Sequence, residues 1–132
     1  MDKKRREALV DEYLPMIGHY IYDLGFEIGD GWLGILEELF PKIYKIKQRN
    51  GLEYEIIRVM EINGELNIFE EGIFRDHGTP ELYQLIDEAK RKSRTICADC
   101  GCKARGRRRR NRKKELYTLC DVCLVIRALD ES

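Results

Sequence analysis

Two pairs of cysteines near the C-terminal end are the feature that most constrains how this chain can fold. Cys97 and Cys100 form the first pair, Cys120 and Cys123 form the second, and 19 residues (101–119) separate them. Two residues between paired cysteines allow one tight turn to present both sulfurs to the same ion, and Gly101 offers the backbone freedom that such a turn needs. The spacing is typical of four-thiolate structural sites. We therefore predict one structural Zn(II) ion bound by these four cysteines.

A zinc ion with four protein ligands has no coordination position left for water, so the predicted site organises a fold and activates no nucleophile. The alternative is a set of free or redox-active thiols. All five cysteines lie in the last 36 residues, whereas a secreted disulfide framework usually has an even and more widely distributed count. Cys102 could replace Cys100 as a ligand, but that choice would lose the two-residue spacing. We interpret Cys102 as a spare thiol.

The stretch between the cysteine pairs, residues 103–114, is strongly cationic, and we call it the arginine segment. It contains nine cations in twelve residues and no acid. A run of this density repels itself when left unpaired, which favours a partner that carries phosphates or an acidic protein surface over a freely solvated loop. The residues predicted to bind that partner are Lys103, Arg105, Arg107, Arg108, Arg109, Arg110, Arg112, Lys113 and Lys114.

The formal charge is divided between the two ends of the chain. Residues 1–96 contain 14 Lys and Arg against 19 Asp and Glu, a net charge of −5, and residues 97–132 contain 10 against 5, a net charge of +5. Four thiolates around one Zn(II) would add −2 to the C-terminal part and bring it nearer to +3. The basic character of this part therefore survives the correction.

Two helical patterns occupy the first 46 residues. The first, over residues 2–24, predicts one helix with Gly25 as its C-cap. Asp30 is expected to cap the second helix, in which Pro41 indicates either a kink near Phe40 or two shorter helices. The predicted buried stripes are Leu9, Tyr13, Ile17, Tyr20, Ile21 and Leu24 in the first helix and Trp32, Ile35, Leu36, Leu39, Ile43 and Ile46 in the second.

The middle of the chain predicts a β-hairpin followed by a third helix. Residues 52–62 alternate between apolar and acidic side chains, Asn63-Gly64 suits a two-residue type I′ turn, and apolar residues of a return strand follow. Thr79-Pro80-Glu81 is a helix start signal. The apolar members of these elements are expected to be Leu52, Tyr54, Ile56, Met60 and Ile62, then Leu66, Ile68 and Phe69, and finally Leu82, Leu85, Ile86 and Ala89.

We therefore predict an α+β fold in which N-terminal helices, with Trp32 buried among them, pack on a β-hairpin, followed by a further helix and a C-terminal zinc ribbon. Residues 1–94 are expected to form the α+β domain, and residues 95–132 the zinc-ribbon module with a short terminal helix. The β-prone residues 95–96 and 117–119 are expected to pair and bring the cysteine turns together. No stretch reaches the length of a membrane span, and no signal peptide is apparent, so we expect a cytoplasmic protein without a membrane partner.

An enzymatic interpretation depends on Asp76-His77, where an acid adjoins a histidine on a glycine-flanked loop. Histidine-metal nucleases also carry cysteine turns, but their Asp-His step lies between the cysteine pairs, whereas here it precedes both. We expect His77 to be a surface residue and the protein to be no enzyme, with a metal-dependent nuclease as the weaker alternative.

Five short segments share their order with one protein family. They are GWLGILEEL from Gly31, GEL from Gly64, LIDEA from Leu85, SRTIC from Ser93 and TLCDVC from Thr118. In this order they resemble a family of short uncharacterised proteins from phages and prophages. The resemblance implies a viral or mobile-element origin and a zinc ribbon, but no particular activity, and it does not extend to the arginine segment.

Two hypotheses for function follow. The first is a non-catalytic zinc-ribbon protein that engages nucleic acid through the arginine segment. The second is an inhibitor that binds and blocks a host protein, such as a defence or transcription factor, because phage accessory proteins of this size often act in that way. The partner is accordingly nucleic acid or an acidic protein surface, and the oligomeric state is left open.

Overall fold

The structure is a computed structural model that describes residues 1–73, 79–106, 108–109 and 116–130, with the backbone alone at positions 73, 79, 108 and 109. The described part is α+β, as predicted. Its elements in chain order are α1 (Lys3–Glu12), α2 (His19–Leu24), α3 (Leu33–Asn50), β1 (Glu53–Ile62), β2 (Glu65–Ile73), α4 (Thr79–Ser93), β3 (Arg108–Arg109), β4 (Leu116–Tyr117) and α5 (Asp121–Asp130).

The prediction of one helix over residues 2–24 was wrong, because the chain breaks between α1 and α2. Leu14–Met16 forms a short 3-10 turn with Pro15, which has no backbone N–H to continue an α-helix. After this turn, the N–H of Gly18 donates to the carbonyl of Ile56 in β1, 2.9 Å away. The segment between α1 and α2 is therefore hydrogen-bonded to the hairpin. Because of the break, the residues of α2 do not continue the helical periodicity of α1, and the buried face of α2 differs in part from the predicted one. Leu9, Tyr13, Ile17 and Ile21 are buried as predicted, whereas Tyr20 and Leu24 are exposed.

The second helix is a single element, and its buried stripe matches the prediction. All six stripe residues are buried, and Pro41 lies inside the continuous helix α3. The expectation that Asp30 caps this helix was wrong. Asp30 begins a 3-10 turn (Asp30–Trp32), and its carboxylate accepts hydrogen bonds from the backbone N–H of Asp2 and from the guanidinium of Arg6. Trp32 is fully buried, as expected.

The hairpin forms at the predicted turn. Asn63 and Gly64 both have positive φ, 51° and 76°, which is the requirement of a type I′ turn. The register shifts between Ile56 and Arg58, where β1 carries one extra residue. This bulge reverses the alternation beyond it, so Val59 is buried, whereas the predicted inward residues are not: Met60 is half-buried and Ile62 is 38% exposed.

The helices and the hairpin share one hydrophobic core. α2 packs against β1, α4 packs against β2, and α3 packs against both α4 and α1. The core cluster joins residues of these elements to Cys97, Ala98, Leu119 and Cys123 from the C-terminal part. The division at residues 94 and 95 stays a prediction. None of the helices in the described part of the chain combines the length and apolar character needed to cross a membrane.

Candidate metal centre

The first cysteine pair lies in a tight turn whose backbone is closed by hydrogen bonds. The N–H of Gly101 donates to the carbonyl of Cys97 (3.0 Å), and the N–H of Cys97 donates to the carbonyl of Cys102 (2.7 Å). Gly101 has a φ of 82°, as the sequence predicted for the residue after the pair. The turn therefore directs the Cys97 and Cys100 side chains to one side, with Cys97 buried and Cys100 exposed.

The second pair lies at the start of α5. Cys120 directly precedes the helix and Cys123 occupies its first turn, where the N–H of Leu124 donates to the carbonyl of Cys120 (2.9 Å). One helical turn places residues three apart on the same face, so both sulfurs point in one direction. Cys123 is buried and Cys120 is half-buried. The terminal helix predicted from the sequence is thus part of the site.

The four sulfurs converge. The Sγ atoms of Cys97, Cys100, Cys120 and Cys123 all lie within 4.8 Å of one another, close enough to hold a metal ion. The Sγ atoms of Cys100 and Cys120 are 3.7 Å apart. In a tetrahedral site with metal–sulfur bonds of about 2.3 Å, sulfurs stand about 3.8 Å apart, so this edge already has the required length. The thiol of Cys102 does not belong to the group and is exposed.

Backbone N–H groups lower the pKa of the Cys97 thiol. Burial raises the pKa of Cys97, but hydrogen bonds from the backbone of Cys100, Cys120 and Asp99 outweigh burial and bring the pKa down to about 7. In the metal-free site, burial and the neighbouring cysteines raise the pKa of the Cys123 thiol. A divalent cation between the sulfurs reverses that effect, because it favours the thiolate at every ligand.

The pairing predicted for residues 95–96 and 117–119 was wrong. Ile96 bridges Lys103 within its own turn, and β4 pairs with β3. Besides the bond from the backbone of Cys120 to the Cys97 thiol, the two cysteine turns are connected by a hydrogen bond from the N–H of Ala98 to the carbonyl of Thr118 (2.9 Å). The second pair lies at the start of helix α5, and a helix satisfies its backbone hydrogen bonds internally. Residues 117–119 therefore do not need to pair with residues 95–96 to position the second pair.

The first cysteine turn docks on the loop before α3. The N–H of Gly31 donates to the carbonyl of Ala98 (2.9 Å), and the indole Nε1 of Trp32 donates to the carbonyl of Ile96 (2.7 Å). The backbones approach so closely that a Cβ at Gly31 would lie 2.0 Å from the carbonyl oxygen of Cys97, and one at Gly29 would lie 2.1 Å from that of Ala98. Only glycine permits this packing.

Further contacts fix the site to the hairpin and to α5. Thr118 is fully buried, and its hydroxyl donates to the carbonyl of Gly64 in the hairpin turn (2.5 Å). Arg127 of α5 makes two hydrogen bonds to the carboxylate of Asp99 (2.6 and 2.9 Å), and its guanidinium lies 5.1 Å from the centre of the Tyr117 ring. Sequence reasoning missed these contacts, although Gly29 and Gly31 on either side of Asp30 are a signal of close backbone approach.

Replacement of Gly31 by alanine is expected to weaken metal binding and stability together. The added Cβ clashes with the Cys97 carbonyl, so the cysteine turn must move, at a loss of about 1–3 kcal/mol. Thermal unfolding and competition for zinc against a chromophoric chelator would measure both effects. Gly34→Ala is the matched control, because a Cβ there meets only the end of the Arg5 side chain at 4.0 Å inside a helix. Equal behaviour of the two variants would contradict the docking.

The structure describes only part of the arginine segment. Lys103 and Arg105 are exposed, and Arg105 lies 3.8 Å from the carboxylate of Asp121. Arg108 and Arg109 form β3, which pairs antiparallel with β4. The remaining predicted contacts, Arg107, Arg110, Arg112, Lys113 and Lys114, lie outside the described residues, as does the Asp76-His77 step.

Comparison with known proteins found no match to a family model, to a curated protein or to a solved structure. The resemblance to phage and prophage proteins therefore stays a prediction.

Proposed function

We propose that this chain is a non-catalytic zinc protein that binds nucleic acid through the arginine segment. The observation that carries the proposal is that the two cysteine pairs that flank this cationic segment in the sequence converge on one site. The first residues of the segment follow Cys100 within the closed cysteine turn, and its far end leads through β4 to Cys120. A run of cations that is connected on both sides to one site cannot move far from it, which favours phosphate binding over a solvated tail.

Zn(II) is the proposed metal because four thiolates in a tetrahedral arrangement are soft ligands that suit it. The pairing of β3 with β4 supports the same function. It joins Arg108 and Arg109 of the segment to Leu116 and Tyr117 in a short antiparallel pair, and two-stranded ribbons are a shape that nucleic-acid-binding proteins place in a groove. The absence of catalysis is part of the proposal, since four protein ligands leave no open position for a reacting water.

Binding to random-sequence duplex is expected to weaken steeply as the salt concentration rises, because each phosphate neutralised contributes about −0.9 to the slope of log K against log salt. Replacement of Arg107, Arg108, Arg109 and Arg110 by alanine is expected to make the slope shallower by about 3 to 4. Fluorescence anisotropy over a salt series would measure both values, with zinc content determined for each protein.

A matched variant carries alanine at four exposed lysines outside the arginine segment: Lys3, Lys4, Lys42 and Lys45. It loses the same charge, and its slope is expected to stay close to that of the parent. Binding that ignores salt, an absence of binding, or equal losses in the two variants would each reject nucleic acid as the partner.

A host protein with an acidic surface is the second candidate, and one observation favours it. The outer face of α5 exposes four aliphatic side chains beside the start of the arginine segment, Val122, Val125, Ile126 and Leu129, each more than half exposed. An exposed apolar stripe next to cations is typical of a protein–protein interface. It would make no favourable contact with the charged phosphates of a nucleic acid. The resemblance to phage proteins supports this candidate as well. Its signature is a stoichiometric complex that is retained when nucleic acid has been digested and that Val125→Glu abolishes.

A further inference from the structure

A groove lies between α1 and α2, on elements that contribute no metal ligand. Its volume is about 580 Å³, within the range of about 300–1,000 Å³ that is usual for binding sites. Side chains from the two helices and from the loop after α2 line it. Those that matter for binding are Glu7, Val10, Asp11, Ile21, Tyr22 and Leu24.

The groove is apolar at its floor and along one wall. Ile21 is buried and Val10 is half-buried, whereas Tyr22 and Leu24 are 69% and 59% exposed. The break at Pro15 explains this wall, because α2 begins in a new phase and turns Leu24 away from the core. A six-residue helix that presents two large apolar side chains to water next to a cavity has the character of a contact surface.

The charge of the groove is negative. Glu7 and Asp11 are both exposed on its rim, and in the described part of the chain neither takes part in an ion pair. Two cations belong to the lining, the N-terminal ammonium of Met1, which lies 3.8 Å from the carboxylate of Asp30, and Arg6, which is also bound elsewhere. Its guanidinium donates to Asp30 (2.7 Å) and to the carbonyls of Phe26 and Ile28 (both 2.8 Å). A ligand therefore meets two carboxylates beside an apolar trough.

We propose that this groove binds a cationic amphipathic helix of a partner protein. A helix seats its apolar side chains in such a trough, and lysine or arginine residues on its flank meet Glu7 and Asp11. Nucleic acid does not fit, because its phosphates would face the same carboxylates. A second copy of the chain fits less well through its exposed apolar helix α5. That helix carries Asp121 and Asp130 against one cation, Arg127, whose guanidinium is already hydrogen-bonded to Asp99. This binding site is independent of the proposed function of the arginine segment.

A pair of synthetic helical peptides tests the site on the zinc-loaded full chain. Both peptides have the same leucine stripe, one with lysine flanks and the other with glutamate flanks, and fluorescence anisotropy measures their binding. The lysine peptide is expected to bind at least about tenfold more tightly than the glutamate peptide. The double variant Glu7→Lys with Asp11→Lys is expected to weaken the lysine peptide by about tenfold, and Leu24→Glu is expected to abolish its binding.

The matched control reverses two exposed carboxylates on the hairpin, Glu53→Lys with Glu71→Lys, and is expected to bind the lysine peptide like the parent. Far-UV circular dichroism verifies that each variant is folded, which the exposure of all substituted positions favours.

The proposal is overturned if the lysine peptide does not bind, or if the groove variants bind it as well as the parent does. An equal loss in the hairpin control would mean unspecific charge attraction, and a dimer that Leu24→Glu dissociates would assign the groove to a second copy. Either result rejects the proposal.

Discussion

Removal of the metal by a chelator is expected to unfold the C-terminal part of the chain and to loosen the core around Trp32. Metal binding contributes about 10–16 kcal/mol in small zinc modules, which is comparable to the whole stability of a domain, about 5–15 kcal/mol. Cys97 belongs to the continuous hydrophobic core, and its turn carries the carbonyls to which Gly31 and Trp32 donate. Loss of the turn therefore reaches the N-terminal helices.

The measurement is thermal unfolding by far-UV circular dichroism, together with the emission of Trp32, the single tryptophan of the chain. Trp32 is fully buried, so its emission is expected to shift to longer wavelength in chelator and to return when zinc is restored. Cys97→Ser should behave like the chelated protein, and Cys102→Ser should behave like the parent. A chelated protein with unchanged unfolding temperature and emission would disprove the coupling.

Replacement of Trp32 by alanine is expected to lower the free energy of unfolding by about 3–5 kcal/mol and to weaken zinc binding as well. The side chain fills the junction of α3 with the first cysteine turn, and its indole satisfies the carbonyl of Ile96. The substitution leaves both a cavity and an unpaired carbonyl. Urea unfolding measures the first effect, and competition against a chromophoric chelator measures the second.

Trp32→Phe separates these two contributions. It keeps most of the apolar volume and removes the hydrogen bond to Ile96, so a smaller loss of about 1–3 kcal/mol is expected. If Trp32→Ala destabilises the chain but leaves zinc affinity unchanged, the tryptophan supports only the core, and the proposed link to the metal centre is wrong.

Features that depend on neighbours along the chain were predicted correctly. The two Cys-x2-Cys pairs, the glycine after the first pair and the Asn63-Gly64 turn are each decided within a few residues, and the structure has all of them. The stripe of α3 was also predictable, because 3.6-residue periodicity is maintained along the whole helix and overrides the local effect of Pro41.

Errors arose where one residue changes the phase of a pattern. Pro15 ends α1 and resets the helix that follows, so Tyr20 and Leu24 face solvent. The bulge between Ile56 and Arg58 does the same in β1 and buries Val59 in place of Met60. A periodic pattern does not reveal its own interruption, because apolar residues beyond the break still occur at intervals that fit the old phase.

By itself, the sequence determined that this chain carries a four-cysteine site with a cationic segment between the pairs, since ligand spacing and charge are properties of short stretches of chain. Only the tertiary structure decided where that site lies. Its first turn rests on Gly31 and Trp32, more than sixty residues earlier in the chain, and Thr118 holds the second pair to the hairpin turn. Contacts between segments so far apart depend on how whole elements pack, and no local pattern of residues encodes them.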